Sequence, residues 1–273
     1  IIFHFEQMEI EEDIGKNKEI QTLILEYIED SEQDIGILRE FFELNNLSKI
    51  KYKLYGVFNL ILMISNNHHR GNNFINKIIQ IFQILQTDIQ NLFTNQEIYN
   101  IFKSNRFLIF HLFKNGIITI DESIITNIKE YSTSKNEIPL YYYLYPFIKP
   151  TLDDRGRETI EIEIKTKYGK DITEFEENCQ TGENDSKLCY LIRNDFVNDF
   201  IALIAPTNTP INELISESIF ETNQFLIENQ PTMIEYAAFH GSISIFKYLL
   251  LQKLVTIMIF NNKHHFFLLR LFK

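Results

Sequence analysis

The chain has no tryptophan, only two cysteines, six prolines, nine glycines and four alanines in 273 residues. Two cysteines exclude a disulfide-stapled fold and suit a reducing compartment, so the cytoplasm is the expected location. So few glycines and prolines exclude collagen-like and linker-dominated chains. The shortage of alanine removes the strongest helix former, so any helices must be held by packing more than by propensity. Long hydrophobic runs are missing as well. The most apolar uncharged stretch of the first half, Leu54 to Ile64, falls well short of the ~20 residues a bilayer-crossing helix needs. It reads as a buried helix, and no membrane span is expected. The start, Ile1-Ile2-Phe3-His4-Phe5 followed by Glu6, Glu9, Glu11, Glu12 and Asp13, has neither a basic segment nor a sufficient apolar core, so no targeting signal is visible in it, and the missing initiating Met fits a sequence that begins inside a longer chain.

Basic charge is also scarce. Lysine and arginine number 26 against 37 acidic residues, a formal charge of -11. By region the charge is -9 over residues 1–50, +4 over 51–150, -10 over 151–230 and +4 over 231–273. Binding a polyanion requires clustered cations that displace counterions. The one dense run, Lys49, Lys51 and Lys53, reads as a solvated helix face, so nucleic acid is not an expected partner.

What the chain has in quantity is apolar: 45% hydrophobic residues, 24 Phe, 13 Tyr and 45 Ile, enough to bury a core. These residues recur at helical spacing, as in Ile20, Leu23, Ile24, Tyr27 and Ile28, then Phe74, Ile75, Ile78, Ile79, Phe82 and Leu85. The expected fold class is all-α. Ile160 to Lys165 alternates like a strand, yet Ile160, Ile164 and Tyr168 also form one helical stripe. Asp153 or Asp154 can cap a helix there, and no second strand is at hand to pair with it. Loops are expected at Asn66 to Asn73, Ser132 to Pro139, Asn178 to Ser186 and Pro206 to Pro210.

Two helical hairpins follow from this punctuation. The first runs from Lys187 to Ala205 with a turn at Asn194-Asp195, capped by Asp185 or Ser186. The second runs from Met233 to Leu251 with a turn at His240-Gly241-Ser242. An offset of 46 residues lays Leu191 and Ile192 on Ala237 and Ala238, Asp195 on Gly241, and Phe200, Leu203 and Ile204 on Phe246, Leu249 and Leu250. A third copy fits Ile101 to Phe113, with Asn105 at the turn. Units too small to bury their own apolar stripes must stack on neighbours, which leads to the expectation of a helical-hairpin solenoid.

The segment Thr232-Met233-Ile234-Glu235-Tyr236-Ala237-Ala238-Phe239-His240-Gly241, continuing Ile245-Phe246-Lys247-Tyr248-Leu249-Leu250, resembles an ankyrin repeat. Met233 stands where that pattern has Pro, Glu235 where it has His, and no repeat-ending turn follows Gln252. More of the chain, roughly Ile35 to Gln252, is similar to the ankyrin-repeat proteins of trichomonad protists, in which a domain of unknown function precedes the repeats. The stretches that carry this are Ser65-Asn66-Asn67-His68-His69-Arg70, Gly182 to Ser186 running into Leu191-Ile192-Arg193, and Ser218 to Asn223. The resemblance implies an interaction module and no known activity.

No chemical constellation stands out. The pairs His68-His69 and His264-His265 lack further ligands at metal spacing. Cys179 and Cys189 are ten apart, not a zinc or redox spacing, and read as ordinary thiols. Gly241-Ser242-Ile243-Ser244 is not a nucleophile elbow. Asp121-Glu122, Asp153-Asp154 and Glu176-Glu177 lie where capping and solvation account for them. Around Gly169-Lys170, Ile164 and Asp171 replace the Gly and Ser or Thr of a phosphate loop. Tyr141 to Phe147 reads as core packing in an irregular, proline-flanked connector.

The expected organisation is a helical region over 1–150 with degenerate hairpins, an acidic helical connector over 151–186, ankyrin-like hairpins over 187–252, and a divergent or truncated tail over 253–273. The expected function is a non-enzymatic protein-protein interaction scaffold without cofactor or metal, whose partners are other proteins. Glu235, Phe239 and His240, at the end and turn of the repeat's inner helix, are the candidate contact residues. Two alternatives stay open: a hydrolase or transferase whose site assembles within residues 1–180, signalled if His68, His69 or His111 met a carboxylate in a pocket, and a degenerate, incomplete gene product.

Overall fold

The structure is a computed structural model that describes residues 18–30, 32–71, 73–130, 138–207, 210 and 212–253. The acidic start, most of the Ser132 to Pro139 loop, and the tail after Lys253 with its His264-His265 pair lie outside the described residues. The chain is all-α. Among the described residues there is no strand, only an isolated antiparallel bridge between Leu214 and Thr232. None of the helices among the described residues is long and apolar enough to cross a membrane. The chain divides into two compact units, one through Gly182 and one from Glu183.

The first unit holds α1 (18–29), α2 (Ile35–Leu44), α3 (Lys51–Asn67), α4 (Phe74–Ile84), α5 (Gln86–Leu92), α6 (Asn95–Phe102), α7 (Arg106–Lys114), α8 (Glu122–Glu130), α9 (Leu140–Tyr143), α10 (Tyr145–Ile148), α11 (Asp154–Tyr168) and α12 (Ile172–Thr181). At its centre α7 is buried all round, from Phe107 to Phe113, and packs on α4, α6, α9 and α12. A helix without a polar face has to lie inside a ring of neighbours. Phe58 of α3 meets Phe82, Phe93 and Phe102 at ring-centroid distances of 5.7, 5.3 and 5.4 Å. The alternating segment around Ile162 is helical: Ile160 and Ile164 of α11 are buried and Ile162 is exposed. Asp153 caps the helix by accepting from Gly156 N at 2.8 Å, and Gly169 ends it at φ +67°.

Residues 154–181 of the stretch expected as an acidic connector form α11 and α12, both within the first unit. The tyrosine-rich segment forms short helices, with Tyr143 and Tyr145 buried. The Tyr142 and Tyr145 hydroxyls donate to Glu163 and Glu161 of α11 at 2.6 and 2.8 Å.

The second unit holds α13 (Lys187–Arg193), α14 (Val197–Ile204), α15 (Gln224–Asn229), α16 (Met233–Phe239) and α17, described from 243 to 253. Its core joins Leu191, Ile192 and Phe200 of the α13–α14 pair to Met233, Tyr236, Ala237, Ile245 and Leu249 of the α16–α17 pair. Both pairs start and turn alike. Ser186 accepts from Cys189 N, and 46 residues later Thr232 accepts from Glu235 N. At Asp195 (φ +52°) the N–H bonds Ile192 O and the next N–H bonds Leu191 O; at Gly241 (φ +69°) the partners are Ala238 O and Ala237 O. This double closure through a left-handed residue also ends α2 at Asn46 and α7 at Gly116. Asn105, placed by the sequence at a third turn of this kind, has φ -100° and instead caps α7, accepting from Leu108 N at 2.7 Å.

Candidate functional site

Two places in the molecule gather side chains capable of recognition. The first surrounds the start and turn of α16. Glu235 is exposed, but its carboxylate accepts from Thr232 N at 2.8 Å and Thr232 Oγ1 at 2.7 Å, a closed capping box. These hydrogen bonds to Thr232 hold its carboxyl below the usual glutamate range. Phe239 is half-buried and stacks on Phe225 with centroids 5.3 Å apart and planes 9° from parallel. His240, the residue that closes α16, lies 4.5 Å from the Tyr236 ring and 5.1 Å from that of Phe239. Phe239 and His240 thus pack together beside Phe225, while Glu235 is engaged in the cap at Thr232.

Behind this surface lies a polar junction that sequence reading missed, although it had marked the stretches involved. Arg193 donates to Asn184 O at 2.8 Å and to Tyr236 Oη at 2.9 Å, and its Nε is 2.8 Å from Glu183. Buried Asn184 donates through Nδ2 to Ser216 O at 2.7 Å, and Glu221 accepts from the N–H groups of Asn184, Thr222 and Asn223. The two pairs are also tied directly. Asp195, at the turn of the first, accepts from Ser244 N and Ile245 N of α17, both at 2.9 Å, while Ser242 Oγ donates to Ile192 O. Nothing in linear spacing links residue 195 to residues 244 and 245, whose N–H groups it accepts.

The second place is a cavity of about 500 Å³ in the first unit, lined by Ile28 and Glu29 at the end of α1, by His68, His69, Gly71 and Asn73, and by Phe74 and Lys77 of α4. His68 and His69 stack at 4.4 Å, and His68 stacks in turn on Phe74 at 5.8 Å. His68 Nδ1 lies 2.7 Å from His69 O, and its Nε2 lies 3.1 Å from Glu29 Oε1. Burial, then the neighbouring His68, lowers the His69 pKa against the pull of Glu29. Lys77 is buried and its ammonium donates to the carbonyls of Tyr27 and Asp30, closing the end of α1. Among the described residues no serine, threonine or cysteine lines this cavity, and no group of three metal-ligating residues exists.

His111 is elsewhere. It is buried beside Phe107, with Nε2 3.0 Å from Gln180 O, and burial lowers its pKa to about 4. Cys179 and Cys189 are fully buried thiols, pushed up by burial. Lys49 and Lys51 pair with Asp88 and Glu97, both at 2.7 Å. No family model, curated protein or solved structure matches this chain.

Proposed function

We propose that the second unit is a protein-binding scaffold built of stacked helical hairpins of the ankyrin type, acting on protein partners and without catalysis. The observation that carries this reading is the recurrence, 46 residues apart, of the same cap and the same left-handed closure, in two hairpins whose turn and helix start are joined by Asp195. A repeat that fastens its successor in this way leaves the inner-helix ends in a row, and the Phe225, Phe239 and His240 surface lies at one of them. Acidic surface and paired lysines favour protein partners over nucleic acid.

The test is affinity capture with mass spectrometry, using the intact chain beside a Phe239→Ser, His240→Ala variant whose helicity and melting temperature are checked. Partners retained by the intact chain and lost by the folded variant support the assignment. Equal recovery from both proteins removes this surface from the argument.

A hydrolase or transferase reading of the first unit has one observation in its favour, the His68 to Glu29 contact at a cavity. The described lining offers it no hydroxyl or thiol nucleophile, and its lysine is committed to backbone carbonyls. We therefore place binding ahead of catalysis at this position.

A further inference from the structure

We infer that the cavity at the end of α1 binds a small organic ammonium ion carried on a flat or apolar body. Its volume, about 500 Å³, falls in the range of small-molecule sites. The charge at its rim is negative. Glu29 is 61% exposed, and one oxygen, Oε1, is held by His68 Nε2 at 3.1 Å. The other, Oε2, has no protein donor among the described residues and remains available to a cation.

The permanent positive charge in the lining, Lys77, is turned away from this role. Its ammonium is buried and donates to Tyr27 O and Asp30 O, with the Tyr27 ring 4.7 Å away. An anionic ligand would face Glu29 without a free cation to receive it. Burial and the neighbouring His68 lower the His69 pKa, which disfavours a second positive charge there. The walls supply the remaining recognition: Ile28 is apolar, and the edges of the stacked His69, His68 and Phe74 rings suit the face of an aromatic ring. A carboxylate anchor beside ring edges and an aliphatic wall is the arrangement that reads an arylalkylamine, with the amine on Glu29 and the aryl body against Ile28 and the ring edges.

The experiment titrates the intact chain with phenethylamine, with phenethyl alcohol as its neutral counterpart and with 3-phenylpropionate as its anionic one. Binding is followed by calorimetry and by the imidazole resonances of the histidines. The expected result is saturable binding of the amine that shifts His68 and His69 and leaves buried His111 in place. Glu29→Gln should weaken it about tenfold or more, the loss of a charge-assisted contact. Gly71→Leu, at a position where an added Cβ meets nothing closer than a His69 ring carbon at 4.0 Å, should block the space with Glu29 intact. Nα-acetyl-lysine amide distinguishes a free amine from a partner's lysine side chain; tighter binding of this probe than of phenethylamine overturns the small-molecule assignment. So do equal affinities for amine and carboxylate, no shift at about 10 mM amine, or an unchanged affinity in Gly71→Leu. Failure here leaves the scaffold reading of the second unit untouched, since that reading rests on other residues.

Discussion

Asp195 shows how much one side chain can do in this molecule. It adopts the left-handed turn conformation at φ +52° and also caps α17 through two backbone N–H groups. Its burial works against ionisation, but the bonds from Ile245 N and Ser244 N hold its carboxyl below the usual range. The cap is therefore complete above the ordinary aspartate pKa and is lost as pH falls through the lowered one. Asp195→Ala should destabilise the protein by about 1–2 kcal/mol in urea unfolding, within the cost of losing an N-cap plus strain at the turn. Asp195→Gly should recover the turn term alone. A variant as stable as the parent would show that the clasp between the hairpins is energetically idle. His111 gives the second residue-scale expectation. Its folded pKa, about 4, lies below the unfolded 6.5, so the unfolded chain takes up the proton first as pH falls. Its contribution is whole above about pH 6.5 and is lost toward pH 4, on the order of 3 kcal/mol for a shift of this size. The loss of stability between pH 7 and 4.5 should be smaller in His111→Gln than in the parent; equal losses would remove His111 as the cause.

At the scale of elements, the helices end by a shared device whose residues differ: Asn46, Gly116, Asp195 and Gly241 each take positive φ and make the same pair of backbone bonds. Glycine meets no steric penalty there, and an added Cβ at Gly241 or Gly116 would find open space within 4 Å. The cost of Gly241→Ala is thus conformational, about 1–2 kcal/mol, and should be read in the melting temperature without loss of helicity. Helix position and type were legible from the apolar spacing, including α11, where a cap at Asp153 and the stripe through Ile160 and Ile164 decided against the alternating pattern. The turn at Asn105 was not. Asparagine is suited both to left-handed turns and to N-caps, and only the placement of α7 selects the cap. The closures at Asn46 and Gly116 went unread because no matching helix-turn-helix pattern follows them.

For the whole molecule, charge is the clearest determinant. The formal charge is -11, and the Lys49 and Lys51 ammonium groups, of the one dense basic run among the described residues, are bound to Asp88 and Glu97. The chain should pass through a heparin column at about 0.1 M salt, where phosphate-binding proteins are retained. Retention would point to a basic surface outside the described residues. Each unit carries a core of its own, the Phe58 cluster with α7 in the first and the Phe200, Tyr236 and Leu249 cluster in the second.

Apolar periodicity, turn residues and composition established that the chain is helical and where most helices lie, because each of those signals acts over one or two turns of backbone. The recurrence at 46 residues was visible for the same reason. Tertiary structure alone decided that Glu29 meets His68, that Lys77 closes α1, that Asn184, Arg193 and Glu221 share one junction, and that Asp195 reaches α17. These contacts join residues tens of positions apart through polar atoms, which leave no periodic trace; their partners are chosen by the packing of the helices that carry them.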